Sequence, residues 1–262
     1  MHVFLALAFP DLLKPIVDVM TVILQQINGV THSYAASLLI FALLITLVLW
    51  PLRRQQYKSM AEMQALAPHL KRLQQRYKSD PQKLQQEQMA LYKEHGVNPM
   101  AGCLPLLIQM PILFSLYRAI LSNEHAFGSA HFLWVGSPLS KDFPKILATS
   151  LAAPDMVLLA MYVISMYFTV RFSSPVTDPQ QAQQQKIMAL ISPLMIAFIG
   201  RGWPSALILY WLAYNVFSTG QQIYLMRTLK HSIPPVGADT DAPATPEKAE
   251  VSKRQQKRAA NK

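Results

Sequence analysis

Polar side chains are sparse in the apolar stretches of this sequence, and those present suit hydrogen bonding and charge attraction rather than bond making. Thr46, Gln109 and Arg118 each interrupt a run of aliphatic residues, and Tyr210, Trp211, Tyr214 and Asn215 stand close together in a later one. At a helical rotation of about 100° per residue, Tyr210, Tyr214 and Ser218 share one face, with Trp211 and Asn215 on the adjoining row. Set in hydrocarbon, such groups can solvate a passing polar segment; bonding between neighbouring helices is the other use of the same residues. An ionisable side chain in that setting is energetically unfavourable and marks a functional position by default, which singles out Arg118. Its plainer reading is a guanidinium snorkelling to an interface.

Parts for enzymatic catalysis are missing. There is no H-E-x-x-H, no G-x-S-x-G and no G-x-x-x-x-G-K-[ST], and the only acid in the apolar stretches is Asp155, at an edge. All seven histidines lie outside those stretches, and the single cysteine, Cys103, excludes an internal disulfide and a multi-cysteine metal site. Neither catalysis nor a cofactor or metal is therefore expected.

The elements that hold these residues are membrane spans. The chain has 262 residues, a formal charge of +10 and 52% hydrophobic residues, a combination that points to a membrane before nucleic acid. Specific DNA binding is not expected. Apolar windows at 33–52, 103–122, 155–172, 186–200 and 204–226 predict an all-α polytopic protein with five transmembrane helices. Lys and Arg mark the cytoplasmic side. They crowd into the segment after the first span and into the chain after the fifth, so the N-terminus is expected outside and the C-terminus in the cytoplasm.

Outside the spans, residues 1–32 read as an extracytoplasmic amphipathic segment with Leu12, Ile16, Val19, Ile23 and Leu24 near helical spacing. Such a helix lies in the interface plane or packs on the first span. No Lys or Arg precedes the apolar run Val3 to Phe9, so a secretory signal is not expected. Residues 53–102 read as a basic helical hairpin: Met60, Met63, Leu66, Leu70 and Leu73 form one stripe, and Ser79-Asp80-Pro81 starts a second helix. Residues 123–154 form an outer loop, and 173–185 a cytoplasmic one. From 227 the chain becomes a proline-rich and then basic tail that cannot bury a core. Arg72 and Arg76 of the hairpin, with Lys253, Arg254, Lys257 and Arg258 of the tail, are candidates for contact with ribosomal RNA or anionic lipid.

Two runs carry more than composition. Asn98-Pro99-Met100-Ala101-Gly102-Cys103-Leu104-Pro105-Leu106-Leu107-Ile108-Gln109-Met110-Pro111-Ile112 resembles the second-span signature of the YidC family of membrane protein insertases. Pro204-Ser205-Ala206-Leu207-Ile208-Leu209-Tyr210-Trp211, with Asn215 and Gln221-Gln222, resembles its last-span signature. Phe132-Leu133-Trp134, Asp178-Pro179 and Gln184-Gln185-Lys186-Ile187-Met188 fall between them in family order. The resemblance implies an insertase of the bacterial plasma membrane that moves nascent membrane proteins into the bilayer without nucleotide hydrolysis. It implies a hydrophilic groove, open to cytoplasm and lipid and closed outside. It implies the ribosome as a partner, the basic tail adds anionic lipid, a protein translocation channel is a further candidate, and the chain resembles the minimal five-span form. A secondary transporter, from helices broken by Pro105, Pro111, Pro193 and Pro204, and a membrane-anchored RNA-binding protein are the alternatives.

One departure bears on mechanism. The family commonly places an arginine five residues before a Pro-Leu pair at the cytoplasmic end of the first span; here the pair is Pro51-Leu52 and the position holds Thr46. Of the three arginines that can replace it, Arg53, Arg118 and Arg201, the one well inside a span is Arg118, and it is the expected supplier of a groove cation. In a Cys103→Ser background, single cysteines at Ser129 and Ser252 should be labelled by an impermeant thiol reagent from opposite sides of the membrane; labelling of both from one side sinks the topology.

Overall fold

The structure is a computed structural model that describes residues 10–98, 104–172 and 179–229, and every regular element in them is helical. Helix α1 runs over Pro10–Thr31 and α2 over Tyr34–Val48, where the Ser33 side chain accepts from the Ala36 amide as N-cap. The chain bends at Leu49, and α3 continues over Trp50–Ala65. Pro51 explains the break: it has no amide hydrogen for the Leu47 carbonyl, and its ring collides with that carbonyl. Pro68 does the same one element later, so the first arm of the hairpin bends again at Leu66 before α4, Ala67–Arg76. The Asp80 carboxylate caps α5, Pro81–Glu94, by accepting from the Lys83 amide at 3.0 Å.

Helix α6 covers Leu104–Ser122 and passes through Pro111 unbroken. Two short helices, α7 at Glu124–Gly128 and α8 at Pro138–Asp142, lie in the segment leading to α9, Met156–Phe172. Helix α10 is Pro179–Ile199, and a 3₁₀ turn over Gly200–Gly202 leads to α11, Ser205–Leu229.

Helix α11 is the centre of the bundle, packed on α2, α3, α6 and α9; α10 lies outside α9, and α1 lies against α6 and α2. The main core joins Leu38 and Phe41 of α2, Leu116 and Ile120 of α6, Leu158 of α9 and Leu207, Ile208 and Tyr210 of α11. The hairpin has its own small core of Leu70, Leu73 and Leu91, with Tyr77, Leu84 and Tyr92 packed around it.

Two sequence expectations change, and a third concerns the spans. The stripe that α1 buries is Met20 and Leu24, while Ile16 and Val19 face outward; α1 packs on α2, one of its two expected placements, and on α6. Its apolar residues go almost all round, so the neighbouring helices and not the periodicity choose the buried side. The expected loop 173–185 is helical from Pro179, since a proline at the first helical position needs no amide partner and the glutamines after it are good helix formers. Finally, no single helix among the described residues is long and apolar enough to cross a membrane; α2 and α3 pass that test together across a 57° bend. The break at Leu49 divides the first window, and Gln221 and Gln222 dilute the last.

The outward surface is apolar to a degree that water does not favour. Leu43, Leu44, Leu47 and Val48 on α2, Ile164 and Phe168 on α9, and Leu190, Leu194 and Phe198 on α10 are all exposed. Continuous apolar patches of this extent mark a surface made for protein or lipid.

One end of the bundle is closed by hydrogen bonds. Asp155, 1% exposed, accepts from the Leu158 amide at 2.7 Å, from the Ala148 amide at 2.8 Å and from the Trp134 indole at 3.2 Å. It thereby caps α9 and ties two loop strands to it. The first amides of α11 donate to the same loop, Ser205 to the Ala153 carbonyl and Ala206 to that of Leu151, both at 2.9 Å. Replacing Asp155 by Ala orphans two buried amides and the indole, and should lower stability by at least about 2 kcal/mol, read as thermal unfolding in detergent. Asp155→Asn should lose less, because its carbonyl oxygen still accepts.

Candidate functional site

Beyond the bend at Leu49, α3 lies over α11, and this places Arg53 where a straight helix would not. Its guanidinium donates to the Tyr214 hydroxyl, and its carbon sits 5.1 Å from the centre of the Tyr214 ring. The Tyr214 hydroxyl donates in turn to Gln109 Oε1 at 2.7 Å. A cation on α3, a phenol on α11 and an amide on α6 thus form one chain across three helices. The same guanidinium lies against Tyr57, one turn further along α3.

Aromatic rings wall this chain. Tyr210 stacks on Tyr214 with centroids 5.9 Å apart, Trp211 meets Tyr214 edge to face at 5.7 Å, and Phe41 of α2 touches Tyr210 at 6.0 Å. Gln109 Nε2 and Trp211 Nε1 have no hydrogen-bond partner among the described residues, and the Tyr210 hydroxyl makes no well-aligned bond but lies against the Gln109 side chain. Both nitrogens can donate, and neither is answered by an acceptor. A buried unpaired donor is unfavourable by about 1–3 kcal/mol, so such a group calls for a water or a ligand.

The other candidates are placed differently. Thr46 is buried, and its hydroxyl donates back to the Ala42 carbonyl at 2.8 Å, so its hydrogen is used within its own helix. Asn215 faces α9: its side chain accepts from Thr169 at 2.8 Å and donates to Ser165 Oγ at 2.9 Å, while Thr169 and Thr219 meet at 2.7 Å. Of the two uses open to such residues, Asn215 serves helix packing. Arg118 is half-buried on α6, with no hydrogen bond or ion pair among the described residues. It lies nine residues from Gln109, about 14 Å along the helix and half a turn round. Arg201 sits in the 3₁₀ turn over the Phe198 ring at 5.8 Å, as an interfacial anchor does. Arg72 and Arg76 are exposed on α4. Lys253, Arg254, Lys257, Arg258 and Cys103 lie outside the described residues.

The cation that meets Gln109 and Tyr214 is therefore Arg53 and not Arg118. Sequence reasoning ranked Arg53 low because a straight helix puts it about 10 Å beyond Thr46. The signal that could have found it was Pro51, which bends the helix just before Arg53. The Ser165, Thr169 and Thr219 contacts had no signal, since isolated hydroxyls are ordinary in apolar helices.

Known proteins resemble this chain over most of its length. Residues 26–232 match the family described as 60Kd inner membrane protein. A membrane protein insertase YidC of Syntrophus aciditrophicus is 36% identical over 220 residues, which cover 84% of this chain and 38% of that protein. That of Chlorobaculum tepidum is 38% identical over 79% of this chain and 35% of its own length. The chain thus spans little more than a third of the length of these relatives. A solved structure described as an active YidC insertase with its first transmembrane domain resolved superimposes with a TM-score of 0.61 at 27% identity, over 80% of this chain and 46% of that one.

The hydroxyl ladder between α9 and α11 should be measurable. A double-mutant cycle of Thr169→Val and Asn215→Ala, followed by thermal unfolding in detergent, should give a coupling of about 0.5–1.5 kcal/mol. A coupling of zero would mean that the two residues do not bond.

Proposed function

This chain belongs to the 60Kd inner membrane protein family, that of the YidC insertases, and on that premise we propose that it is a membrane protein insertase of a bacterial plasma membrane. Its substrates are nascent membrane proteins. It receives the polar flank of an incoming segment in the groove of Arg53, Tyr214 and Gln109 and releases the apolar part sideways into lipid. No step makes or breaks a covalent bond.

The observation that carries this reading is the polarity of the bundle along its length. The loop tied by Asp155 closes one end. Toward the other, Arg53 and Gln109 meet at the Tyr214 hydroxyl between α3, α6 and α11, with the unpartnered Gln109 Nε2 at hand and the Tyr210 and Trp211 rings beside them. A polar segment entering hydrocarbon unsatisfied is opposed by several kcal/mol per group. A groove that supplies donors and a cation lowers that barrier for carboxylates and carbonyls. The break at Leu49 and the short apolar part of α10 favour a thinned bilayer beside the groove.

In this reading the chain crosses the membrane five times, with the N-terminus outside and the C-terminus in the cytoplasm. The hairpin, carrying Arg72 and Arg76, and the basic tail face the ribosome and anionic lipid, and a translocation channel is a further partner. Five crossings need the local thinning, because the individual helices are short or interrupted.

The test is insertion of an acidic-tailed, single-span substrate by the purified protein in liposomes. Arg53→Ala should reduce insertion about tenfold, in keeping with loss of one charge-assisted contact, and Arg53→Lys should restore part of it. Arg118→Ala should leave insertion unchanged. Full activity of Arg53→Ala together with a loss in Arg118→Ala would reverse the assignment of the cation.

A further inference from the structure

The segment between α6 and α9 turns apolar side chains away from the bundle, and the insertase reading gives them no task. Leu133 is 71% exposed, Phe143 53%, Leu139 51% and Ile146 50%. The backbone that carries them is firmly held. Val135, Ser140, Leu147 and Ala148 are buried, so the same segment has an inner face seated on the bundle. The Phe132 and Val135 backbones exchange hydrogen bonds of 3.0 and 2.8 Å around Leu133, and the Gly136 amide donates to the Ala148 carbonyl at 2.9 Å. Leu139, Phe143 and Ile146 are linked through successive turns: the Phe143 amide donates to the Leu139 carbonyl at 3.2 Å, and the Ile146 amide to that of Phe143 at 3.0 Å.

Leu133 also departs from the usual turn chemistry. It holds φ +52° at the tip of its turn, a left-handed conformation that glycine or asparagine would adopt with less strain. Leucine there adds only an apolar side chain presented outward. Cations stand beside the apolar groups: Lys141 and Lys145 are exposed on either side of Phe143, against one acid in the segment, Asp142. Apolar and aromatic tips flanked by lysines suit the boundary between headgroups and acyl chains, where the rings and aliphatic groups enter the hydrocarbon edge and the ammonium groups reach phosphate. The patch also adjoins the outward wall of the bundle. The Met156 amide donates to the Ile146 carbonyl at 2.9 Å, which sets Ile146 at the start of α9, and α9 continues outward with the exposed Met161, Ile164 and Phe168.

We propose that, given the insertase reading and its placement of this end outside the cell, residues 133–146 are a contact surface for the outer leaflet of the membrane. Leu133 and Phe143 enter the edge of the hydrocarbon, and Lys141 and Lys145 bind the phosphates of anionic headgroups. The loop thereby holds the closed end of the bundle at headgroup level while the groove opens toward the other side.

The experiment places spin labels on single cysteines, Leu133→Cys, Phe143→Cys and Ser129→Cys, in the full chain with Cys103→Ser, reconstituted in vesicles of phosphatidylethanolamine and phosphatidylglycerol. Circular dichroism of each variant confirms that the helices persist. The ratio of collisions with oxygen, which concentrates in lipid, to collisions with a water-soluble nickel chelate should be at least about threefold higher at 133 and 143 than at 129. Lys141→Gln with Lys145→Gln, or phosphatidylcholine in place of phosphatidylglycerol, should lower that ratio at 143 about twofold. Ratios at 133 and 143 equal to that at 129 would place the loop in water and overturn the contact. Protection of both labels from oxygen and chelate alike would mean that a protein covers the patch, and would overturn it too. An unchanged ratio in the lysine double variant removes the phosphates from the proposal. Labelling of Ser129→Cys in whole cells by an impermeant thiol reagent reports separately which side the loop is on, so a loop in water is told apart from an insertase reading with the wrong topology.

Discussion

Hydrocarbon offers no partner to a polar group, so each one carried into it must be answered from within the protein or by what the protein binds. Helix α11 is built around that constraint. Its first amides are answered by the loop carbonyls of Ala153 and Leu151, and Asn215 and Thr219 are answered by α9. Toward α3 and α6, the Gln109 Nε2 donor has no acceptor among the described residues.

This makes the two ends of the bundle mechanically different. At the closed end a single carboxylate, Asp155, holds a helix start and two loop segments together, and its bonds join parts far apart in sequence. Near the other end the contacts are long side chains reaching between helices, Arg53 to Tyr214 to Gln109, with aromatic rings beside them. Side chains of that kind can exchange partners without the helices separating.

The hairpin follows a different logic. Its core is small, and its cationic surface repels itself, so its stability rests on caps and a few buried contacts: Asp80 at one helix start, the Gly96 turn at one helix end, and Leu70, Leu73 and Leu91 between them. The inward position of His69 beside so small a core means that its protonation bears on the whole arm.

Composition and spacing alone determined that the chain is helical and apolar, that Ser79-Asp80-Pro81 begins a helix, and that Tyr210 and Tyr214 share one helix face. These follow from local rules: hydrophobic periodicity, capping chemistry and the faces of a single helix. The same rules pointed to a polar stripe on α11 but were silent on its partners, because whether Asn215 serves a groove or a neighbouring helix depends on which helix stands beside it. Arg53 shows the difference most clearly. Its number in the sequence placed it beyond the site, and a bend at Leu49 with the packing of α3 on α11 brought it in. The bend is written in Pro51, but its direction is not. Only the tertiary packing decides which way a kinked helix swings, since that is set by the surfaces it can bury.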